Sequence, residues 1–252
     1  NRMDEELNHL VPIDSTTPYV MHEAIARIVD AGSWLELQST FACNAIVGLA
    51  RMGGMAVGIV SQEPSVMAGV MDIDSADKIT RFVRFCDAFN IPLVTFVDSS
   101  GFLPGTNQEY RGIIRHGAKV LFAYSEASVP KVSIVTRKAY GGAYVVMSSK
   151  YLGTDITFAW PSAEIAVMGP EGAANILYKK QIDAAAVPAL ERARLIEDYR
   201  KRFLNPYAAA NAGYIDEVIE PRETRMRVIE ALKALRNKTS QPLPRKHGNM
   251  PV

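Results

Sequence analysis

The run Arg137-Lys138-Ala139-Tyr140-Gly141-Gly142-Ala143-Tyr144 is the part of this 252-residue sequence best suited to chemistry. It follows a strand-like stretch and precedes residues 143–149, which can be helical. Two successive glycines at a strand-to-helix turn let a ligand approach the backbone and leave free N–H groups at the helix N-terminus. Such donors suit a negative oxygen, and losing one from a preorganised oxyanion hole costs roughly 3–4 kcal/mol. Close helix–strand packing asks for the same two glycines, so the pair alone leaves both readings open. A second glycine loop, Ser99-Ser100-Gly101-Phe102-Leu103-Pro104-Gly105, follows an earlier strand-like run. In a parallel sheet the two loops would line one crevice at the carboxyl ends of the strands, where ligands bind. Phe102 and Leu103 either wall that crevice or staple the loop to the core.

Side-chain acid–base and metal chemistry have little support. The four histidines, His9, His22, His116 and His247, show no metal-ligand spacing with a cysteine or with each other. His116 reads as a partly exposed polar residue rather than a base. No Gly-x-Ser-x-Gly elbow and no P-loop lysine pattern occurs.

The elements that must position the glycines follow from periodicity. Residues 45–50 and 55–60 are apolar runs around Gly53-Gly54, a hairpin signal. Residues 74–89 repeat apolar side chains (Ile79, Phe82, Val83, Cys86) at helical spacing, with Asp74 or Ser75 able to cap the start. Residues 93–97 read as a buried strand. Thr106 and Glu109 have capping-box spacing and open a helix whose inward face is Tyr110, Ile113, Ile114, Ala118, Leu121 and Phe122. Pro130-Lys131-Val132-Ser133-Ile134-Val135 echoes Pro92-Leu93-Val94-Thr95-Phe96-Val97 after 38 residues, the length of a strand plus a crossover helix. Short strands are expected at 156–159 and 165–167, and helices at 21–29, after Gly169-Pro170, at 190–203 and at 223–235. Residues 1–18 read as an arm or linker, 19–252 as one α/β domain, and the end of the chain as an extended basic tail.

Composition bounds the function class. With 28 basic and 27 acidic residues the net charge is +1, which offers nothing to nucleic acid or an anionic membrane. The 48% of hydrophobic residues exclude global disorder, and the longest apolar stretches fall short of the roughly 18 residues a membrane span needs. Two cysteines, Cys43 and Cys86, are too few for a disulfide framework and point to a reducing compartment. The acidic, polar start does not have the character of a secretory signal. A soluble cytoplasmic protein, or a mitochondrial-matrix one in a eukaryote, is the expectation.

The two glycine loops, together with Ala159-Trp160-Pro161-Ser162-Ala163-Glu164-Ile165-Ala166-Val167-Met168-Gly169 and Lys246-His247-Gly248-Asn249, resemble the carboxyltransferase subunits of biotin-dependent acyl-CoA carboxylases and decarboxylases. The resemblance runs from about Tyr19 to the C-terminus. It implies a crotonase (ClpP/crotonase-like) fold of repeated ββα units forming a spiral. It also implies that the chain matches only the C-terminal of two tandem domains, so that the isolated fragment is inactive. In such subunits carboxyl transfer between carboxybiotin and an acyl-CoA places charge on two oxygens, which calls for two oxyanion holes and no strong side-chain base.

Carried over by motif, Gly142 and Ala143 form the hole for the biotin carbonyl. Gly101, Phe102, Leu103, Gly141 and Tyr144 shape the biotin and acyl pocket, and Val145 stands at the acyl end, where it influences chain length. The resemblance implies biotin, delivered on a carrier domain, and acyl-CoA as ligands, with no metal. Propionyl-CoA/methylmalonyl-CoA is the favoured pair. The implied partners are the N-terminal carboxyltransferase domain, a biotin carboxyl carrier protein, a biotin carboxylase or decarboxylase partner, and copies of the subunit in a hexamer. The alternatives are a sodium-pump decarboxylase alpha subunit within the family, a crotonase-like enoyl-CoA hydratase or isomerase using a glutamate near Glu164 or Glu171, and a non-catalytic assembly domain.

Overall fold

A computed structural model describes residues 2–240 and 248–252. Lys246 and His247 of the last motif lie outside the described residues. The chain opens with α1 (Leu7–Leu10) and α2 (Met21–Ile28), then β1 (Leu35–Leu37), β2 (Ala45–Met52) and β3 (Met55–Gln62). Next come α3 (Ile73–Ala88), β4 (Leu93–Ser99), α4 (Thr106–Tyr110), α5 (Ile113–Glu126) and β5 (Lys131–Tyr140). The remainder is α6 (Gly141–Val146), β6 (Ile156–Ala159), β7 (Glu164–Ala166), α7 (Pro170–Leu177), α8 (Lys179–Ala184), α9 (Pro188–Phe203), α10 (Pro206–Asn211), β8 (Glu217–Val218) and α11 (Thr224–Ala234).

One sheet of order β1-β2-β3-β4-β5-β6-β8 carries the structure, with β7 also paired to β5. The pairs β1–β2 and β2–β3 are antiparallel, and Gly53 and Gly54, both at positive φ, close the second as a hairpin. From β3 to β8 the strands are parallel. The 38-residue repeat is the register itself: Leu93 stands beside Lys131, Val94 beside Val132 and Phe96 beside Ile134. Helices cover both faces, so β4 is buried along its whole length, as an apolar run in a central parallel strand requires. Leu93 and Val97 face one core cluster with α3 and α5, while Val94 and Phe96 face the other with α2, α11 and Trp160. Trp160 is fully buried and its indole N–H donates to Thr224 Oγ1 at 2.8 Å.

Several local expectations are corrected. The α3 cap is Asp72, not Asp74 or Ser75: its carboxylate accepts the Ser75 N–H while Ser75 Oγ accepts the Asp72 N–H. Thr106 and Glu109 form no capping box, because Gly105 at φ 127° is the cap and no side chain bonds there. The helix is also not continuous. Gly112 at φ 86° breaks it and rotates the following face. The buried residues of α5 are therefore Ile113, Gly117, Val120, Ala123 and Tyr124, while Tyr110, Ile114 and Leu121 are exposed. Strand β5 continues through Arg137–Lys138 to Tyr140 because β7 pairs with its last three residues, and α6 starts at Gly141 itself. Within residues 2–18, Leu7 is buried, and the carbonyls of Asp14 and Thr17 accept from Arg137 Nη1.

Helix α2 is tied to the sheet by His22, whose Nδ1 meets Glu63 at 2.8 Å and whose Nε2 meets Glu36 at 3.0 Å. The hydrogen bond with Glu63 raises the His22 pKa from its ordinary value near 6.5, with Glu36 adding to it against partial burial. A raised histidine pKa contributes stability that is full below the unfolded value and is lost as pH rises through the folded one. The melting temperature should therefore exceed that of His22→Gln by a margin that is largest below about pH 6.5 and shrinks in alkali. Parallel melting curves across that window measure it, and a pH-independent margin would contradict it.

Candidate active site

The carboxyl ends of β4 and β5 bring the two glycine loops side by side, as parallel neighbours must. After β4, the loop is clamped to the chain before α3: Met71 N–H donates to Gly101 O at 3.0 Å, and Leu103 N–H donates to Met71 O at 2.8 Å. The clamp holds Phe102 over α5. A β-carbon built on Gly117 would stand 2.8 Å from two Phe102 ring carbons, and one on Gly142 would stand 3.5 Å from the ring. Phe102 is thus seated on two glycines, one from α5 and one from the bend.

After β5, Gly141 takes φ 56°, a left-handed value that turns the strand into α6. Its missing side chain also matters, because a β-carbon would meet Val167 O at 2.9 Å. Gly142 and Ala143 lie in the first turn of α6, where backbone N–H groups have no intrahelical acceptor. Gly142 is exposed; Ala143 is only 1% exposed. The bend therefore presents Gly142 to solvent and tucks Ala143 beneath it.

Two cavities meet at this point. One of about 390 Å³ is apolar and lined by Phe102, Ile113, Leu121, Gly142, Val145 and neighbours on α5 and α6. The other, about 800 Å³, is lined by Gly141, Gly142, Tyr144 and Val145 on one side and by Tyr151, Tyr178, Tyr199, Phe203 and Tyr214 on the other. Gly142 and Val145 line both, so they form the partition. Of the residues singled out from sequence, the structure brings Phe102, Gly141, Gly142, Tyr144 and Val145 together at the cavities. Gly101 and Leu103 line neither cavity and instead hold the loop by their backbone. Burial raises the Tyr144 hydroxyl pKa, which keeps it neutral.

Groups near the rim have structural partners. His116 Nδ1 lies 2.8 Å from Asp77, in keeping with the polar reading. Tyr140 donates its hydroxyl hydrogen bond to Glu164, and burial followed by that bond raises the tyrosine pKa. Glu171 sits in the first turn of α7, with Arg200 Nη2 at 3.9 Å. Neither glutamate lines either cavity. Among the described residues no group of three or more His, Cys, Asp or Glu side chains could hold a metal ion, and no helix is long and apolar enough to cross a membrane.

Two features escaped the sequence reading. The aromatic wall of the larger cavity is scattered over residues 151–214, and its only local signal is the helical spacing of Tyr199 and Phe203. The second is a buried ion pair beneath the bend, Asp98 with Arg137 at 3.0 Å. Asp98 directly after one apolar strand run, and Arg137 two residues after the other, were the signal that could have found it.

These observations define an α/β protein with cavities at the carboxyl ends of its parallel strands. The chain belongs to the carboxyl transferase domain family, whose model matches residues 1–250. It is 53% identical over 251 residues to the carboxyltransferase subunit of propionyl-CoA carboxylase of Haloferax mediterranei, covering 100% of this chain and 49% of that one. It is 54% identical over 251 residues to the alpha subunit of methylmalonyl-CoA decarboxylase of Veillonella parvula, covering 100% of this chain and 48% of the relative. A solved structure of transcarboxylase 12S, described as a hexamer assembly with methylmalonyl-coenzyme A bound, superposes with a TM-score of 0.97 at 51% identity, covering 100% of this chain and 48% of that one. The fold is the crotonase-like α/β fold of the carboxyltransferases, as expected. The chain spans about half the length of the relatives it matches.

Proposed function

We propose that this chain is the biotin-binding half of a carboxyltransferase subunit, moving a carboxyl group between carboxybiotin and an acyl-CoA. The observation that carries the reading is the exposed Gly142, set between two cavities at the end of a parallel sheet and in the first turn of α6, where backbone N–H groups have no intrahelical acceptor. The larger cavity, about 800 Å³ with aromatic walls, falls in the size range of small-ligand sites and suits a rigid bicyclic ring. Carboxybiotin, when bound, supplies the carboxyl group. Gly142, and Ala143 behind it, would hold the ureido oxygen by backbone N–H. Backbone donors of this kind need no proton exchange with a side-chain base. Phe102 and Val145 would keep water from the reacting carbon.

The relatives' names share the propionyl-CoA/methylmalonyl-CoA pair and differ in direction. We take that pair as the substrate. The half-length match supports a second, N-terminal carboxyltransferase domain that completes the site, with residues 19–252 as the C-terminal domain. Val167, Ile176, Leu177 and Leu190 are 62–80% exposed apolar residues near the cavity rim, which supports assembly with further copies, hexameric as in transcarboxylase 12S. A biotin carrier and a carboxylase or decarboxylase partner follow from the same reading.

Reconstitution tests it. Mixing this chain with the N-terminal half of a relative, free biotin and methylmalonyl-CoA should yield carboxybiotin and propionyl-CoA, while the chain alone yields neither. Hydration of crotonyl-CoA by the chain alone would replace this reading with the hydratase one.

A further inference from the structure

Strands β4 and β5 run in step as far as Val97 beside Val135, and the next pair is Ser99 beside Ala139. Between these pairs β4 has one residue, Asp98, and β5 has three, Thr136, Arg137 and Lys138. A bulge of this kind takes backbone groups off the ladder. The Asp98 side chain replaces the missing acceptor: Oδ1 accepts the Lys138 N–H at 3.1 Å and Oδ2 accepts Arg137 Nε–H at 3.0 Å. The side chains are 0% and 2% exposed, so each buried charge depends on the other.

The far end of Arg137 is also fixed. Its Nη1 donates to Thr17 O at 2.7 Å and Asp14 O at 3.3 Å, and the guanidinium stacks on the Tyr19 ring at 4.8 Å. The Asp98 N–H in turn donates to Gln62 Oε1 at 3.2 Å. Two residues separate Asp98 from Gly101, and two separate Lys138 from Gly141. One carboxylate thus stands at the root of both glycine loops.

We propose that Asp98 and Arg137 are positioning residues that hold the β5 bulge open and thereby set where Gly142 lies against Phe102. Without the carboxylate, β5 regains ordinary pairing only by sliding, and each residue of slip moves the bend by about 3.3 Å. The geometric part of the inference stands on the structure alone; its kinetic part rests on the carboxyl-transfer reading.

The experiment uses Asp98→Asn, which leaves Arg137 unpaired, and Asp98→Leu/Arg137→Met as a neutral pair that leaves neither a lone buried charge nor a side-chain acceptor for the Lys138 N–H. In the assembled carboxyltransferase, kcat/KM for free biotin should fall about 100-fold, the scale of a 1 Å misplacement, in both variants, with KM for the acyl-CoA unchanged. The neutral pair should regain the melting temperature without regaining activity, which a purely structural role would not allow. Amide exchange at residues 138–143 should accelerate in both variants while the rest of the sheet stays protected. Recovery of activity along with stability in the neutral pair, or unchanged exchange at the bend, overturns the proposal. Faster exchange at the bend in a protein whose wild type transfers no carboxyl group would retain the positioning role and discard the carboxyl-transfer reading.

Discussion

Gly142→Pro is expected to lower carboxyl transfer by about 10²–10³-fold, the cost of one oxyanion-hole donor, whereas Gly142→Ala retains most of it. The two substitutions separate the donor from the space around it. Gly142 does not adopt a left-handed φ, and a β-carbon there would meet the Phe102 ring at 3.5 Å, an ordinary contact. Alanine therefore fits and keeps its N–H. Proline fits the first turn of a helix, where no i−4 hydrogen bond is lost, so α6 persists while the donor disappears. The preceding Gly141 carries the left-handed conformation and has no β-carbon to clash with the proline ring. Steady-state transfer to free biotin, with circular dichroism as a control on folding, gives the comparison. Equal damage by alanine and proline would move the argument from the N–H to the shape of the partition, and full activity in the proline variant would place the hole elsewhere.

What the sequence made legible follows from how local each signal is. The hairpin at Gly53-Gly54 and the strands after Pro92 and Pro130 are written in adjacent residues, and their repeat proved to be the pairing register itself. The glycine bend was equally visible, since two small residues at a strand end have few structural meanings. The face of α5 was not. A single left-handed glycine, Gly112, resets the helical phase, and periodicity summed across it points Tyr110, Ile114 and Leu121 the wrong way. The extension of β5 to Tyr140 depends on β7, twenty-six residues further on at its first pair (Lys138 with Glu164), and no local pattern encodes a partner strand. The aromatic wall of the larger cavity is similar: Tyr144, Tyr151, Phe203 and Tyr214 meet only because α9 and α10 return across the end of the sheet.

The same distinction predicts a strong effect at a residue with no part in the chemistry. Gly69→Ala should cost about 3–4 kcal/mol, from left-handed strain of about 1–2 kcal/mol and overpacking of about 1–3 kcal/mol. Met67, Ala68 and Gly69 form three consecutive residues at positive φ (51°, 53° and 67°). A β-carbon at Gly69 would stand 2.5 Å from Asp98 O and 3.3 Å from Gln62 Cβ. Neither neighbour can yield easily: Asp98 is main chain at the end of a central strand, and Gln62 bonds its N–H. Against a total stability of about 5–15 kcal/mol the loss is large, and the urea midpoint should fall accordingly. Ala68→Gly supplies the contrast, because that exposed residue already endures a left-handed backbone, so glycine relieves strain and the midpoint should hold or rise. A Gly69→Ala protein as stable as wild type would mean that the end of β4 yields, and a clamp that yields there cannot fix the neighbouring glycine bend.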